Sequence, residues 1–516
     1  MDRRGFLTTA GALSLAAAVG DVRAAEHAFD PTEQSIAALT RALAAGAVSA
    51  ETLTAAYLKR IARFDHHGPQ YRSVLALNPN AIKDAQALDA QRKSGKLRGP
   101  LHGIPIIVKD NIETRDPMAT TAGSYALAKS FRTADAPLAA RLRAAGAIIL
   151  GKANLSEWAN FRSTRSCSGW SGVGGQVRNA YDPARNPSGS SAGSGVAAAA
   201  SFCAAAIGTE TNGSILSPSS INGLVGLKPT VGVVSGKGVV PISPLQDTAG
   251  PMCRTVGDAA ILAAVIAERP LGFGAHGADI ESFRLRGVRI GVMPVPQGAH
   301  PDTARLFADA RAVLEQEGAA TVDLKPPKAF EEMGDSQLEG LLYEFKDAIN
   351  AYLATLDPAQ VDCKSLADLI AFNQAHANDE LIVFGQELFE MAEAKGPLSD
   401  AAYQKARATL TRTADVEGLA TLLGQQGVEV LMGTSNGPAD LIDPVWGDRR
   451  GGGSSQIASC AAIAGYPSLT VPAGLVSGLP VGITLVTRRN QDGLLLQVAR
   501  AYERAGNARV PPHLMI

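Results

Sequence analysis

An α/β fold is predicted: one large domain whose mixed, mostly parallel twisted sheet is covered by helices on both faces. Three observations predict it. The chain has 516 residues, 46% hydrophobic and 19% charged, which is enough apolar side chain for a sizeable buried core. Short apolar runs bounded by Gly and Pro alternate with stretches of helical periodicity. No fixed-period repeat and no Pro/Ser-rich linker interrupts them, so a single domain over 26–516 is favoured over three.

Ile36, Leu39 and Leu43, then Leu53, Tyr57 and Ile61, recur at three- and four-residue steps, predicting two surface helices packed on a core, the second capped by Ser49. From Ile104 the pattern shortens to Ile104–Val108 and Ala147–Leu150, separated by helical Ala136–Ala145, which reads as strand, helix, strand. Further buried strands are predicted at Val288–Val292, Val428–Met432, Ser468–Val471 and Val481–Val486. Helices are predicted at Thr303–Gln316, Leu366–Ala394 and Ala401–Leu423.

Composition narrows the function. With 48 basic against 49 acidic side chains and a net charge of -1, the chain lacks the clustered cationic surface that nucleic acid or an anionic membrane requires. A small-molecule enzyme is the better expectation, with no nucleic acid partner. Cys167, Cys203, Cys253, Cys363 and Cys460 are widely spaced, without a CxxC pair, and read as buried small hydrophobes. At the start, Arg3-Arg4-Gly5-Phe6-Leu7 precedes the small apolar run Thr8–Gly20 and a small-residue end at Ala24-Ala25. This predicts a twin-arginine-type signal peptide over 1–25, cleaved near Ala24 or Ala25. A periplasmic or secreted product follows, with no stable membrane insertion after signal removal, because the apolar run is too short to span a bilayer.

Two stretches carry chemistry. In Gly103-Ile104-Pro105-Ile106-Ile107-Val108-Lys109-Asp110-Asn111 a lysine ends an apolar strand. The second begins Asn186-Pro187-Ser188-Gly189-Ser190-Ser191-Ala192-Gly193-Ser194 and passes through Gly208-Thr209-Glu210-Thr211-Asn212-Gly213-Ser214-Ile215. It closes on Gly223-Leu224-Val225-Gly226-Leu227-Lys228-Pro229-Thr230. Serines in glycine-rich turns with a lysine at a strand end are the parts of a hydrolase that uses lysine as base. Such a lysine must be neutral, so burial must lower its pKa from about 10.4. Asp110 or Glu210 could instead pair with Lys109 and keep it charged. Glycines at 208 and 213 let backbone N–H groups converge beside Ser214 as an oxyanion hole.

Competing patterns are weaker. Gly189-Ser190-Ser191-Ala192-Gly193 and Gly433-Thr434-Ser435-Asn436-Gly437 both match GxSxG, which admits a His-dependent esterase using Ser191; His276, His300, His376 and His513 follow it without a recognisable turn context. A catalytically silent binding protein is the alternative outside the enzymes. His66-His67 cannot share one helical face and no carboxylate completes a ligand set, so no metal is expected. Neither a phosphate loop nor an SxxK motif occurs, and no organic cofactor is expected.

The Ser188–Thr230 block, with the lysine strand before it and Gly478-Leu479-Pro480-Val481-Gly482 near the end, resembles the amidase signature family over essentially the whole chain from about residue 30. The resemblance implies a Ser-cisSer-Lys triad of Ser214, Ser190 and Lys109, with a cis peptide between Gly189 and Ser190. It also implies an oxyanion hole from the backbone N–H groups of Thr211, Asn212, Gly213 and Ser214, and Ser191 as a supporting hydrogen-bond partner. The implied reaction is hydrolysis of a carboxamide C–N bond through a serine acyl-enzyme, releasing ammonia or an amine, with C-terminally amidated peptides among the candidate substrates. Where many members have Gly-Gly-Ser-Ile-Arg, this chain has Asn212-Gly213-Ser214-Ile215-Leu216. Together with Ser156-Glu157-Trp158-Ala159-Asn160, Phe384-Gly385-Gln386 and Asn436-Gly437-Pro438-Ala439, this is most similar to the peptide-amidase-like branch and weakens a reading as the amidase subunit of a tRNA amidotransferase.

Overall fold

The apolar runs assemble into one eleven-stranded sheet and a separate two-stranded hairpin. The computed structural model describes residues 29–271, 278–448 and 453–514, so the expected signal peptide lies outside the described residues. The first strands are β1 (Val74–Leu77), β2 (Pro105–Lys109), β3 (Ile148–Ala153), β4 (Trp170–Ser171), β5 (Gly175–Gln176), β6 (Ala205–Glu210) and β7 (Val225–Lys228). They continue as β8 (Thr248–Cys253), β9 (Arg289–Val292), β10 (Ala320–Asp323), β11 (Val430–Thr434), β12 (Ser468–Val476) and β13 (Leu479–Thr487).

The large sheet runs β1-β3-β2-β6-β8-β7-β12-β13-β11-β9-β10, and β4 pairs with β5. It is mixed, as predicted. Parallel pairing is confined to β3-β2-β6 and β11-β9-β10, and only there does the expectation of a mostly parallel sheet hold. The neighbours from β6 through β8, β7, β12 and β13 to β11 are antiparallel, as is the β1–β3 edge. The reason is local for β12 and β13: they are joined by Ser477 and Gly478, both at positive φ (50° and 83°), the two-residue connection that only an antiparallel pair can use.

Helix Ile36–Ala44 buries Ile36, Leu39 and Leu43, and helix Ala50–Arg60 buries Leu53 and Tyr57 with Ser49 capping it through Thr52 N. Helices Pro137–Ala144 and Pro301–Gln316 also form where predicted, each opened by a proline in its first turn. Both sheet faces are covered. Along β11, Val430 and Met432 enter one apolar core while Leu431, pointing the other way, enters a second. A third core gathers Leu342, Phe345 and Ile349 of helix Gly334–Leu353 with Phe389, Trp158 and Phe161. All five cysteines are buried, as their reading as small hydrophobes expects, and all five are free.

Two long predicted helices are broken. The 366–394 segment forms Leu366–Ala375, Ala377–Glu380 and Glu387–Glu393. Glu380 is captured by tertiary partners: its carboxylate accepts from Ser124 Oγ (2.9 Å) and Tyr125 N (2.6 Å), and its carbonyl accepts from Arg162 Nη1 (2.6 Å). The 401–423 segment is α-helical over Ala401–Leu410, π-helical over Thr411–Leu419 and α-helical again from Ala420, with the break in dihedrals at Gly418.

Candidate active site

Strands β2 and β6 are parallel neighbours, so their carboxyl ends finish at one edge of the sheet, where open α/β sheets bind ligands. Lys109 is the last residue of β2 and is fully buried. Its Nζ lies 2.7 Å from Ser190 Oγ, 2.9 Å from Thr209 Oγ1 and 3.4 Å from the Thr209 carbonyl oxygen. Asn111 Nδ2 donates to the same Thr209 hydroxyl at 3.0 Å. Burial brings the Lys109 pKa down from 10.5 to about 7, against the opposing pull of Asp247 and Glu210.

Neither carboxylate suspected of pairing with Lys109 and keeping it charged makes an ion pair with it. Asp110 accepts from Thr121 N (3.0 Å) and Thr121 Oγ1 and faces Lys152, 3.8 Å away; burial pushes its carboxyl up to about 6. Glu210 accepts from the backbone N–H groups of Ile215 (2.8 Å) and Leu216 (3.0 Å) and thereby closes the turn that carries Ser214. Among the described residues no carboxylate makes an ion pair with Lys109.

The Gly189–Ser190 peptide is cis, and Ser190 is fully buried just before helix Ala192–Ala199. The Ser191 N–H donates to the Ser214 carbonyl at 3.1 Å, tying the two serine segments together. Ser214 follows Gly213, whose φ of 83° favours glycine and turns the chain sharply beyond β6. This turn is held from outside: Thr211 Oγ1 donates to Asp247 Oδ1 (2.6 Å), Gln246 Nε2 donates to the Thr211 carbonyl (3.2 Å), and Asn212 Nδ2 donates to Ser459 Oγ (2.8 Å). The backbone N–H groups of Thr211, Asn212, Gly213 and Ser214 donate to none of the described residues, so this turn keeps four donors available.

Ser191 is brought to the same strand end, with its hydroxyl already engaged. Its fully buried hydroxyl donates to the Thr209 carbonyl (3.0 Å) and accepts from Thr209 N (3.1 Å), so it locks the strand end against which Lys109 rests. His300 caps its helix through Asp302 N, His376 stacks on Phe372 and His513 is exposed; His276 lies outside the described residues. The second GxSxG serine, Ser435, is held between the hydroxyls of Thr470 (2.7 Å) and Thr484 (2.8 Å). The esterase alternative is therefore not supported. Gly208 also needs a corrected reason: it lies inside β6, and a Cβ there would stand 2.8 Å from Ser191 Oγ and 2.7 Å from Met252 Sδ. Close packing, rather than an oxyanion hole, requires glycine at 208.

Sequence reasoning missed Thr209, Asn111 and Asp247. Asn111 was within reach, since it stands two positions after Lys109 and a strand-like period of two returns a side chain to the same side. Asp247 arrives from a distant turn and left no local trace.

A family model described as Amidase matches residues 52–496. A probable amidase of Arabidopsis thaliana is 38% identical over 485 residues, covering 90% of this chain and 88% of that protein. The native peptide amidase of Stenotrophomonas maltophilia superposes with a TM-score of 0.88 at 45% identity, over 94% of this chain and 99% of that one. A structure of the peptide amidase in complex with the competitive inhibitor chymostatin gives a TM-score of 0.88 at 46% identity, over 94% and 100% of the two chains.

Proposed function

From the premise that this chain belongs to the amidase signature family, in its peptide-amidase-like branch, and hydrolyses amide C–N bonds, we propose that Ser214 is the nucleophile, Ser190 the proton relay and Lys109 the base. The observation that carries the assignment is the buried contact of 2.7 Å between Lys109 Nζ and Ser190 Oγ, at a lysine whose pKa falls to about 7. Neutral Lys109 accepts the Ser190 proton as Ser190 accepts that of Ser214, and the Ser214 oxygen bonds to the carboxamide carbon. The carbonyl oxygen, now negative, is stabilised by the N–H groups of the 211–214 turn, which donate to none of the described residues. Collapse of the adduct breaks the C–N bond, and the proton held by Lys109 returns through Ser190 to the leaving nitrogen. Water then attacks the acyl-enzyme by the same relay in reverse.

The substrate we propose is the C-terminal carboxamide of a peptide. Support comes from the two peptide amidase structures, at 45% and 46% identity over nearly their full length, one of them holding a competitive inhibitor. Purified protein incubated with C-terminally amidated peptides, aryl amides and short aliphatic amides should release ammonia fastest from the peptides, and Ser214→Ala should abolish release. Preference for an aliphatic amide would overturn the substrate; undiminished release by Ser214→Ala would overturn the nucleophile. We also propose twin-arginine export from Arg3-Arg4 and the apolar run behind them. Arg3→Lys with Arg4→Lys should strand the precursor in the cytoplasm, and normal processed protein in the periplasm would refute that route.

A further inference from the structure

The loop that leaves β11 does more than cross the surface. It runs back along 184–188, the segment that leads into the cis peptide: Asn186 N donates to the Asp440 carbonyl (2.7 Å), Ile442 N to the Ala184 carbonyl (3.1 Å) and Arg185 Nη1 to the Ala439 carbonyl (3.0 Å). Near its start Asn436 Nδ2 donates to Ser217 Oγ (2.8 Å), which also meets Ser188 Oγ (2.6 Å). At its far end stands Asp448. Its Oδ1 accepts from Ser168 N (2.8 Å) and Asn186 Nδ2 (2.8 Å), and its Oδ2 accepts from Ser168 Oγ.

Both partners of this carboxylate touch the segment that carries Ser190. Asn186 Oδ1 accepts from Ser188 N (2.7 Å), fixing the residue before Gly189. Ser168 Oγ also accepts from Asn160 Nδ2 (2.9 Å), and the two atoms stand 2.9 Å and 3.1 Å from where a Cβ on Gly189 would sit, so they pack onto its Cα. On the same side Ser156 N donates to the Ser190 carbonyl (3.0 Å) while Ser156 Oγ accepts from Gly169 N (2.8 Å). Three donors converge on Asp448, and an ionised carboxylate can accept them all; an amide has a single acceptor oxygen and would set an NH2 group against another donor.

We propose that Asp448 is a positioning residue for Ser190: its carboxylate fixes Ser168 and Asn186, and these hold the Gly189–Ser190 peptide so that the Ser190 hydroxyl meets Lys109. This rests on the relay role of Ser190 argued above. Because Asp448 is exposed, removing its charge leaves no buried vacancy, and the effect falls on the alignment of the relay rather than on the fold.

The test is steady-state ammonia release from an amidated peptide, with the rate of active-site labelling by a fluorophosphonate and Tm measured on the same samples. Asp448→Asn should lower kcat by tenfold or more, with KM within about twofold and Tm within a few degrees of wild type. Its effect should not add to that of Ser168→Ala, and in a Ser190→Ala background it should slow labelling no further. A kcat within twofold of wild type, or losses that multiply with those of Ser168→Ala or Ser190→Ala, would overturn the proposal. If Asp448→Asn does not fold, Ser168→Ala is judged by the same kcat and KM criteria. Full activity of Ser190→Ala alone would overturn the relay itself, an outcome distinct from failure of Asp448.

Discussion

Protonation of Lys109 should switch the enzyme off over a range set by its burial. With a pKa brought down to about 7, only about 1% of the lysine is neutral at pH 5 and about 90% at pH 8, so kcat/KM should fall roughly 100-fold between a plateau above pH 8 and pH 5. An unshifted lysine would place that limb above pH 10. Arginine is the sharp substitution, because it keeps the charge and approximate length but does not deprotonate. Lys109→Arg should therefore lose nearly as much activity as Lys109→Ala in a folded protein. The assay is the pH–rate profile of ammonia release from an amidated peptide, read beside both variants. Activity of Lys109→Arg within about tenfold of wild type, a barrier change of about 1.4 kcal/mol, would remove lysine from the triad. A limb centred at pH 9 or above would show that burial does not do what the geometry indicates.

Three further outcomes follow from the same contacts. Ser214→Ala should abolish fluorophosphonate labelling while Ser191→Ala leaves it detectable; loss of labelling in Ser191→Ala alone would restore the esterase reading. Asp247→Asn should shift the acidic limb to lower pH, since removal of a nearby negative charge favours neutral lysine; a limb unmoved or moved upward would contradict this. Lys109→Met should be inactive but more stable. The folded pKa is depressed, so the unfolded chain binds the extra proton, and wild-type stability rises from about pH 7 towards 10.5. The corresponding penalty, roughly 5 kcal/mol below pH 7 before about 1–3 kcal/mol is set against it for the unpaired Ser190 and Thr209 groups, is what methionine relieves. Urea midpoints at pH 6 and 9.5 should show the variant's advantage shrinking with pH, and a variant less stable than wild type at pH 6 would refute the reasoning.

The parts of the molecule legible in the sequence are those whose cause is local. β2 was readable because Ile106, Ile107 and Val108 are branched and bounded by Pro105 and Lys109, and helix Ala50–Arg60 because Ser49 caps it. β6 was not, although it forms the wall of the site: in Ala205-Ala206-Ile207-Gly208-Thr209-Glu210 a glycine and two polar residues imitate a turn, and only packing against Ser191 and Met252 explains them. The same holds at Glu380, where an apparently continuous helix yields to Ser124, Tyr125 and Arg162, partners more than two hundred positions away. Ser190 and Ser214 stood out in the Ser188–Thr230 block and Lys109 as the charged end of an apolar strand; Thr209, Asp247 and Asp448 did not, because each acts through a bond to a segment the chain reaches elsewhere.

The buried thiols bear on which compartments the molecule can tolerate. Oxidation and disulfide exchange both proceed through the thiolate, and here burial pushes Cys167 and Cys203 up to about 12 and Cys363 up to about 11. With Cys253 and Cys460 equally enclosed, the folded protein offers an oxidant almost no anionic sulfur at neutral pH. It neither depends on a cross-link that a reducing cytosol would cut nor exposes a group that an oxidising environment would capture. The folded chain therefore owes nothing to cysteine cross-linking: its five thiols are free, enclosed and held in the protonated form by burial.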